Sequence, residues 1–306
     1  MARILVSIVT ENNLPNYLFI KQMEKDEGQF DQLIFMITDS IKEHKHDLRL
    51  FSALGLPEER IRGSRRITLD SEDYKANVEK LEAKFPPATG DTYTVNLTGG
   101  TKALAQSVHD AFAKCDSRFF TISQNGKKIF DFQADEPKDV TLSITLVHYL
   151  AMYGMKIAEG TADKRHASDD SKDACYFKIK RDLGLTDDYI SFDAELWEKD
   201  KGNESTHYLV DMMFINPRTN ELCTVKCVIG DKTKTDNVRR ALYNTAATSR
   251  FLGLRVSAYI FWMRRLTGIG ENAIPKLRDD VRLFGLKGVV TKEDFARPDY
   301  LIKPGI

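Results

Sequence analysis

Over its first 150 residues this 306-residue chain alternates short β-rich apolar runs with helix-like stretches, and that alternation limits the possible folds more than any other feature. Ile4 to Val9 (ILVSIV) reads as a strand, followed by a polar turn from Thr10 to Asn13. Pro15 then suits the first turn of a helix carrying Tyr17, Leu18, Ile20 and Met23. Gln32 to Thr38 repeats the strand signal, with Asp39 and Ser40 placed to cap one helix running toward Phe51. A third strand is expected near Arg60 to Ile67, then a helix with Val78, Leu81 and Phe85 on its apolar side. Thr92 to Leu97 is a fourth strand, and a helix runs from Lys102 to about Lys114. Ser117 to Ile122 and Lys128 to Phe132 flank an Asn125-Gly126 pair, a strong hairpin signal. Strands separated by helices imply a parallel sheet covered on both faces: a Rossmann-like α/β domain, with ligands expected at the carboxyl ends of its strands.

A helical segment from Thr141 to Met155 gives way to Ala158 through Asp173, which is polar, rich in small residues and without apolar periodicity. That stretch is read as the boundary between domains at 1–157 and 174–306. Beyond it come a helix around Ala174 to Leu183, a strand Tyr208 to Ile215, a turn Asn216 to Asn220 and a strand Leu222 to Ile229. A helix Asn237 to Leu252 and a strand Arg255 to Phe261 complete a second, mixed α/β domain.

Composition excludes several classes. Hydrophobic residues at 42% and charged residues at 29% are ordinary for a globular chain. No apolar run approaches the roughly 20 residues that span a bilayer, and the N-terminal stretch does not read as a secretory signal. No membrane is expected as a partner. Four scattered cysteines do not make a disulfide framework, so a cytoplasmic setting is expected. Cys223 and Cys227 sit in an alternating strand pattern with no second ligand pair, which argues against zinc. Basic and acidic residues balance at 45 each, but residues 212–306 hold 17 basic against 9 acidic, compatible with nucleic-acid contact or with solvated helix faces. His44 and His46 read as solvated, His109 as packed, and no histidine pairs with a cysteine or serine at a nucleophile spacing. Trp197, Trp262, Tyr243, Tyr259 and Phe261 read as second-domain core, with Trp262 beside Met263-Arg264-Arg265 as an alternative base-stacking site.

The most informative segment is Asn96-Leu97-Thr98-Gly99-Gly100-Thr101-Lys102, between a strand and a helix. Paired glycines allow positive φ and close backbone approach, the helix's first amides point outward, and Thr98, Thr101 and Lys102 add donors. Such a turn suits a phosphate. The G-x-x-x-x-G-K spacing is absent, which disfavours ATP hydrolysis. The loop Ile8 to Asn16 emerges on the same sheet edge, so two polar loops converge.

Together, the opening ILVSIVTENNLPN and the turn NLTGGTKAL resemble the CARF domain, the cyclic-oligoadenylate sensor of type III CRISPR systems. The likeness extends to standalone CARF effectors with a C-terminal restriction-endonuclease-like nuclease domain. It implies a homodimer holding one cyclic oligoadenylate, cyclic tetra-adenylate in most members, as its ligand. Carried over, Thr10, Asn12, Asn13 and Asn16 would contact adenosine and ribose edges, and Thr98, Gly99, Gly100, Thr101 and Lys102 would hold the phosphates, with no metal.

The resemblance implies a PD-(D/E)xK site in the second domain: a strand aspartate, then Glu-x-Lys on the next strand, two carboxylates holding a divalent cation beside a lysine. Glu195, Asp211 and Lys226 are the candidate catalytic groups, with Glu195 read as a helical or loop carboxylate. The Glu-x-Lys is missing, because the second strand reads LCTVKCVIG and its glutamate position falls on Val225 or Lys226. A lysine there repels a cation, so the domain reads as nuclease-like without a complete metal site. Two alternatives stay open: an active nuclease that needs a divalent metal and uses a relocated set such as Glu195, Asp211 and Asp231, or a metal-independent ring nuclease working in the CARF pocket. A nucleotide-binding regulator unrelated to CRISPR is a further reading.

Overall fold

The computed structural model describes residues 1–87, 90–158, 170–198, 207–228, 235–253, 256–262 and 273–305. The chain divides into two compact units, Met1–Ile144 with Ala151–Tyr153 and Thr145–Leu150 with Gly154–Ile306.

The first unit contains β1 (Arg3–Ile8), α1 (Asn13–Glu27), β2 (Gln32–Ile37), α2 (Asp39–Glu43), α3 (His46–Leu54), α4 (Glu58–Gly63), β3 (Arg65–Thr68), α5 (Tyr74–Lys84), β4 (Thr92–Asn96), α6 (Lys102–Phe112), β5 (Asp116–Ile122), β6 (Lys128–Asp131) and β7 (Lys138–Asp139). Its sheet has the order β3-β2-β1-β4-β5-β6-β7, parallel from β3 to β5 and antiparallel thereafter. β1 is buried on both faces, as a central parallel strand must be, which is why its sequence is a continuous apolar run. α6 buries Leu104, Ser107, Val108, Ala111 and Phe112, the spacing of one helix face, against Val6, Ile8, Tyr93 and Val95 of the sheet. Helices follow β1, β2 and β3 outward, and the chain then returns to place β4 on the other side of β1. The strand order therefore reverses between β1 and β4, the position at which an open α/β sheet presents a ligand crevice.

Three local expectations change. The helix expected over Asp39 to Phe51 breaks into α2 and α3 because Lys45 takes a left-handed φ of 57°, and Thr38 rather than Asp39 or Ser40 caps it, its Oγ1 accepting from Ile41 N. Glu58–Gly63 is a helix, not part of the third strand: Glu58 and Glu59 suit its N-terminus, and Arg60 reaches Glu24 at 2.7 Å. The helix expected over Thr141 to Met155 shortens to α7 (Leu146–Met152), ended by Gly154 at φ 74°.

The second unit contains β8 (Met155–Ile157), α8 (Asp170–Leu183), β9 (Ile190–Glu198), β10 (His207–Ile215), β11 (Leu222–Val228), α9 (Thr235–Phe251), β12 (Val256–Trp262), α10 (Ala273–Leu283) and β13 (Gly288–Thr291). Its sheet order is β13-β12-β11-β10-β9-β8, with β11, β12 and β13 parallel and the remainder antiparallel. This sheet begins at β8, ahead of the polar stretch from which the sequence draws its boundary. β9 lies in a segment without an expected strand, although Ile190, Phe192, Ala194 and Leu196 alternate there. One core layer joins Cys175 and Ile179 of α8 to Met212, Cys223, Val225, Cys227, Tyr259 and Phe261, and another joins Leu242 of α9 and Leu277 of α10 to Ile260 and Trp262. Cys223 and Cys227 are thus core thiols: burial pushes Cys223 up, and a hydrogen bond with Cys175 followed by burial pushes Cys227 up. Trp262, Tyr259 and Phe261 are buried as expected, whereas Tyr243 is 61% exposed, its ring set edge-on to Phe284 on the outer side of α9. Arg264, Arg265 and Asp231 lie outside the described residues. Among the described residues no helix is long and apolar enough to cross a membrane.

Candidate functional sites

At the crevice of the first unit the β1–α1 loop and the β4–α6 turn touch. A Cβ on Gly99 would lie 2.2 Å from Thr10 Cγ2, and Gly99 has φ 96° and Gly100 φ 73°. Glycine is required at Gly99 on both counts: it keeps the turn against Thr10 and leaves the backbone exposed. Lys102 opens α6 as an exposed side chain beside helical amides that have no intrahelical partner. Thr98 is half-buried; its Oγ1 accepts from Ile122 N at 2.7 Å, leaving the hydroxyl proton to donate.

Behind this edge a buried polar network fixes the loops. Asn16 Oδ1 accepts from Ser7 Oγ at 3.0 Å and from Asn96 Nδ2 at 2.9 Å, while Asn16 Nδ2 donates to Ile8 O at 3.0 Å. Asn96 Oδ1 accepts from Thr98 N at 3.1 Å, so one chain of bonds runs from the β1–α1 segment to the glycine turn. Ser7 and Asn96 are polar residues inside buried parallel strands, a signal that the sequence carries in two β-rich runs.

The structure corrects three of the expected ligand contacts. Asn16 is 1% exposed and both of its polar atoms are engaged within the domain. Asn13 is fully buried and donates through Nδ2 to His46 O at 2.8 Å. Thr101 caps α6, its Oγ1 accepting from Leu104 N at 3.1 Å and donating to Ser71 O. Asn13 and Asn16 thus hold the loops from within, and the partly exposed Thr101 has its hydroxyl engaged inside the domain. Thr10, Asn12, Thr98, Gly99, Gly100 and Lys102 remain at the edge. His46, read as solvated, is half-buried, and burial with Arg49 nearby lowers its pKa.

In the second unit Asp211 and Lys226 meet: Lys226 Nζ donates to Asp211 Oδ1 at 2.9 Å, and Cys227 N donates to Asp211 Oδ2 at 2.8 Å. The paired residues of β10 and β11 run from Ile215–Leu222 to Met212–Val225, and at the next rung the Asp211 carboxylate takes the β11 amide. Lys172 Nζ lies 3.7 Å from Asp211 Oδ1 and 3.5 Å from Asp193 Oδ1. Asp193 and Lys172 were missed by the sequence reading; the alternation in β9 could have placed Asp193, but no local signal marks Lys172. Glu195 is a strand residue, not a helical or loop one, paired with Leu209 two positions along β10 from Asp211. A cavity of about 350 Å³ opens beside the pair, lined by Asp211, Lys226, Thr224, Asn244, Thr248 and Ser249 among others. A divalent ion wants several oxygen ligands. Here both Asp211 oxygens already accept from donors and two ammonium groups stand beside them, so the residues do not fit a divalent metal.

Residues 4–149 match the family model of the Card1 CARF domain. Among solved structures, Can2 from Sulfobacillus thermosulfidooxidans, in complex with cyclic tetra-adenylate, aligns over 98% of this chain and 97% of its own with TM-score 0.67 at 13% identity. Protein VC1899 from Vibrio cholerae aligns over 98% and 95%, with TM-score 0.66 at 13% identity. A type III CRISPR defence DNA nuclease activated by cyclic oligoadenylate aligns over 97% of this chain and 43% of its own, with TM-score 0.56 at 15% identity. At such identities the likeness is one of fold. No curated protein matches the sequence. The chain thus carries a Rossmann-like CARF domain joined to a second, mixed α/β domain.

Proposed function

We propose that this protein is a cyclic-oligoadenylate sensor of a type III CRISPR system that binds cyclic tetra-adenylate across a homodimer, and that its second domain is nuclease-like without a complete metal site. The observation that carries the reading is the outward edge formed by Thr10, Thr98, Gly99, Gly100 and Lys102 where strand order reverses, backed by the Ser7–Asn16–Asn96 network. Exposed backbone, a hydroxyl and an ammonium suit a phosphodiester ring. The CARF match over residues 4–149 and the cyclic tetra-adenylate bound to Can2 favour this ligand class. A ring of four identical nucleotides has two-fold symmetry, which two copies of one edge satisfy most simply. In the second domain the pairing of Asp211 with Lys226 supports a nuclease-like sheet that does not cut.

Calorimetry with cyclic tri-, tetra- and hexa-adenylate tests the ligand: cyclic tetra-adenylate should bind at one ring per two chains. Binding of no ring overturns the sensor reading, and one ring per chain overturns the shared site. Incubation with saturating ring, Mn²⁺ and single-stranded or supercoiled nucleic acid should leave the nucleic acid intact. Cutting abolished by Asp211→Ala overturns the second half.

A further inference from the structure

β9 and β10 set Asp193 against Asp211: their paired residues pass from Val210–Ala194 to Met212–Phe192 on either side of these two. Like charges at opposed cross-strand positions repel. Asp211 is 8% exposed, so little water lies near it to screen that repulsion. The pair therefore needs a cation, and the chain supplies one: Lys172, whose side chain is 23% exposed, bridges both carboxylates at 3.5 and 3.7 Å. Burial pulls the Lys172 pKa down, but Asp211 and Asp193 outweigh that and hold it above the ordinary lysine value. The bridging group is thus an ammonium at neutral pH. Asp193 itself has φ 46°, a left-handed conformation that costs free energy in a residue with a side chain and persists where its surroundings compensate. Lys226 is a second ammonium on the same Asp211 oxygen.

We propose that Lys172, assisted by Lys226, takes the place of a divalent cation in the second domain, and that Asp193 and Asp211 become a metal site once those two charges are removed. The inference rests on the nuclease-like half of the proposed function and is independent of ring binding. A lysine cannot be exchanged or chelated away, so the cluster stays closed at any metal concentration the cell provides.

The test uses the full-length chain, with Mn²⁺ uptake followed by electron paramagnetic resonance and thermal unfolding measured in Mn²⁺ and in EDTA. Wild type should leave the free Mn²⁺ signal unchanged and unfold at the same temperature in both. Lys172→Met should lower the melting temperature, and Lys172→Arg, which keeps the charge, should stay near wild type. Lys172→Met with Lys226→Met should bind Mn²⁺ at least about tenfold more tightly than wild type, because two carboxylates then face each other without a cation. Adding Asp193→Asn should abolish that uptake and recover the melting temperature, which also covers failure of the Lys172→Met chains to fold. Uptake of Mn²⁺ by wild type, an unchanged melting temperature in Lys172→Met, or no recovery with Asp193→Asn overturns the proposal. Calorimetry with cyclic tetra-adenylate on the same proteins reads the sensor half separately, since its failure leaves these metal results standing.

Discussion

At the edge of the CARF domain, outward-facing groups are held by inward-facing ones, whereas around Asp211 the charged groups hold one another. Asn13, Asn16, Asn96 and Thr101 engage backbone and side chains behind the loops, and Gly99, Gly100 and Lys102 are left exposed in front. In the second domain Asp193, Lys172, Asp211 and Lys226 form a continuous chain of opposite charges. Polarity alone therefore does not mark a binding site. A group whose bonds are complete inside the protein supports the structure, and a group fixed in position with its bonding capacity turned outward can recognise a ligand.

The largest effect expected from breaking this arrangement is at Asp211. Asp211→Ala removes the carboxylate from two ammonium groups and the Cys227 amide, and should cost about 3 kcal/mol; Lys226 is half-exposed and Lys172 partly so, which keeps the cost at the low end for a buried pair. Denaturant unfolding should show this loss, with cyclic tetra-adenylate binding unaltered.

Asn16→Ala comes next. It leaves Ser7, Asn96 and the Ile8 carbonyl short of a partner in a buried setting, for about 2 to 3 kcal/mol. Unlike Asp211→Ala, it should also weaken ring binding, because the network that fixes the glycine turn passes through it. Stability lost with affinity intact would detach the network from the site.

Gly99→Ala sets a Cβ against Thr10 at a positive φ and should cost about 1 to 2 kcal/mol, together with ring affinity. Pairing it with Thr10→Ser, which deletes the clashing methyl, should return part of the stability and leave the φ penalty. Lys102→Ala should lower ring affinity about tenfold and flatten its salt dependence, with folding stability unchanged, as an exposed charge-assisted phosphate contact would. Unchanged affinity would make Lys102 a solvated helix start.

The smallest effect is at His46. Its folded pKa lies below the ordinary value of 6.5, so below about pH 6.5 the unfolded chain binds more protons than the folded one. The stability this neutral imidazole contributes is present above that pH and is lost as pH falls toward the folded value. His46→Gln should make the acid side of the stability profile shallower, as read by unfolding at pH 7.5, 6.5 and 5.5.

Sequence by itself determined the features that are local. A continuous apolar run such as ILVSIV can be only a strand buried on both faces or a buried helix segment, and its shortness, with the polar turn and Pro15 that follow it, chooses the strand. The glycine pair at Gly99 and Gly100 announces positive φ wherever it is placed, and so the tight strand-to-helix turn and its sheet edge were legible. The lysine opposite Asp211 could be read to within one residue of register. Tertiary structure decided which polar residues are consumed by the fold. Asn16 looks identical to Asn12 in sequence, and only the packing of α1 against β1 and β4, the latter 80 positions away, turns its carboxamide inward. Lys172 is one charge in a charge-rich stretch until α8 sets it beside two strand aspartates, Asp193 and Asp211, that lie about twenty and forty residues later. A long-range hydrogen bond or ion pair depends on where distant segments are brought together, and the local pattern of residues carries no record of that distance.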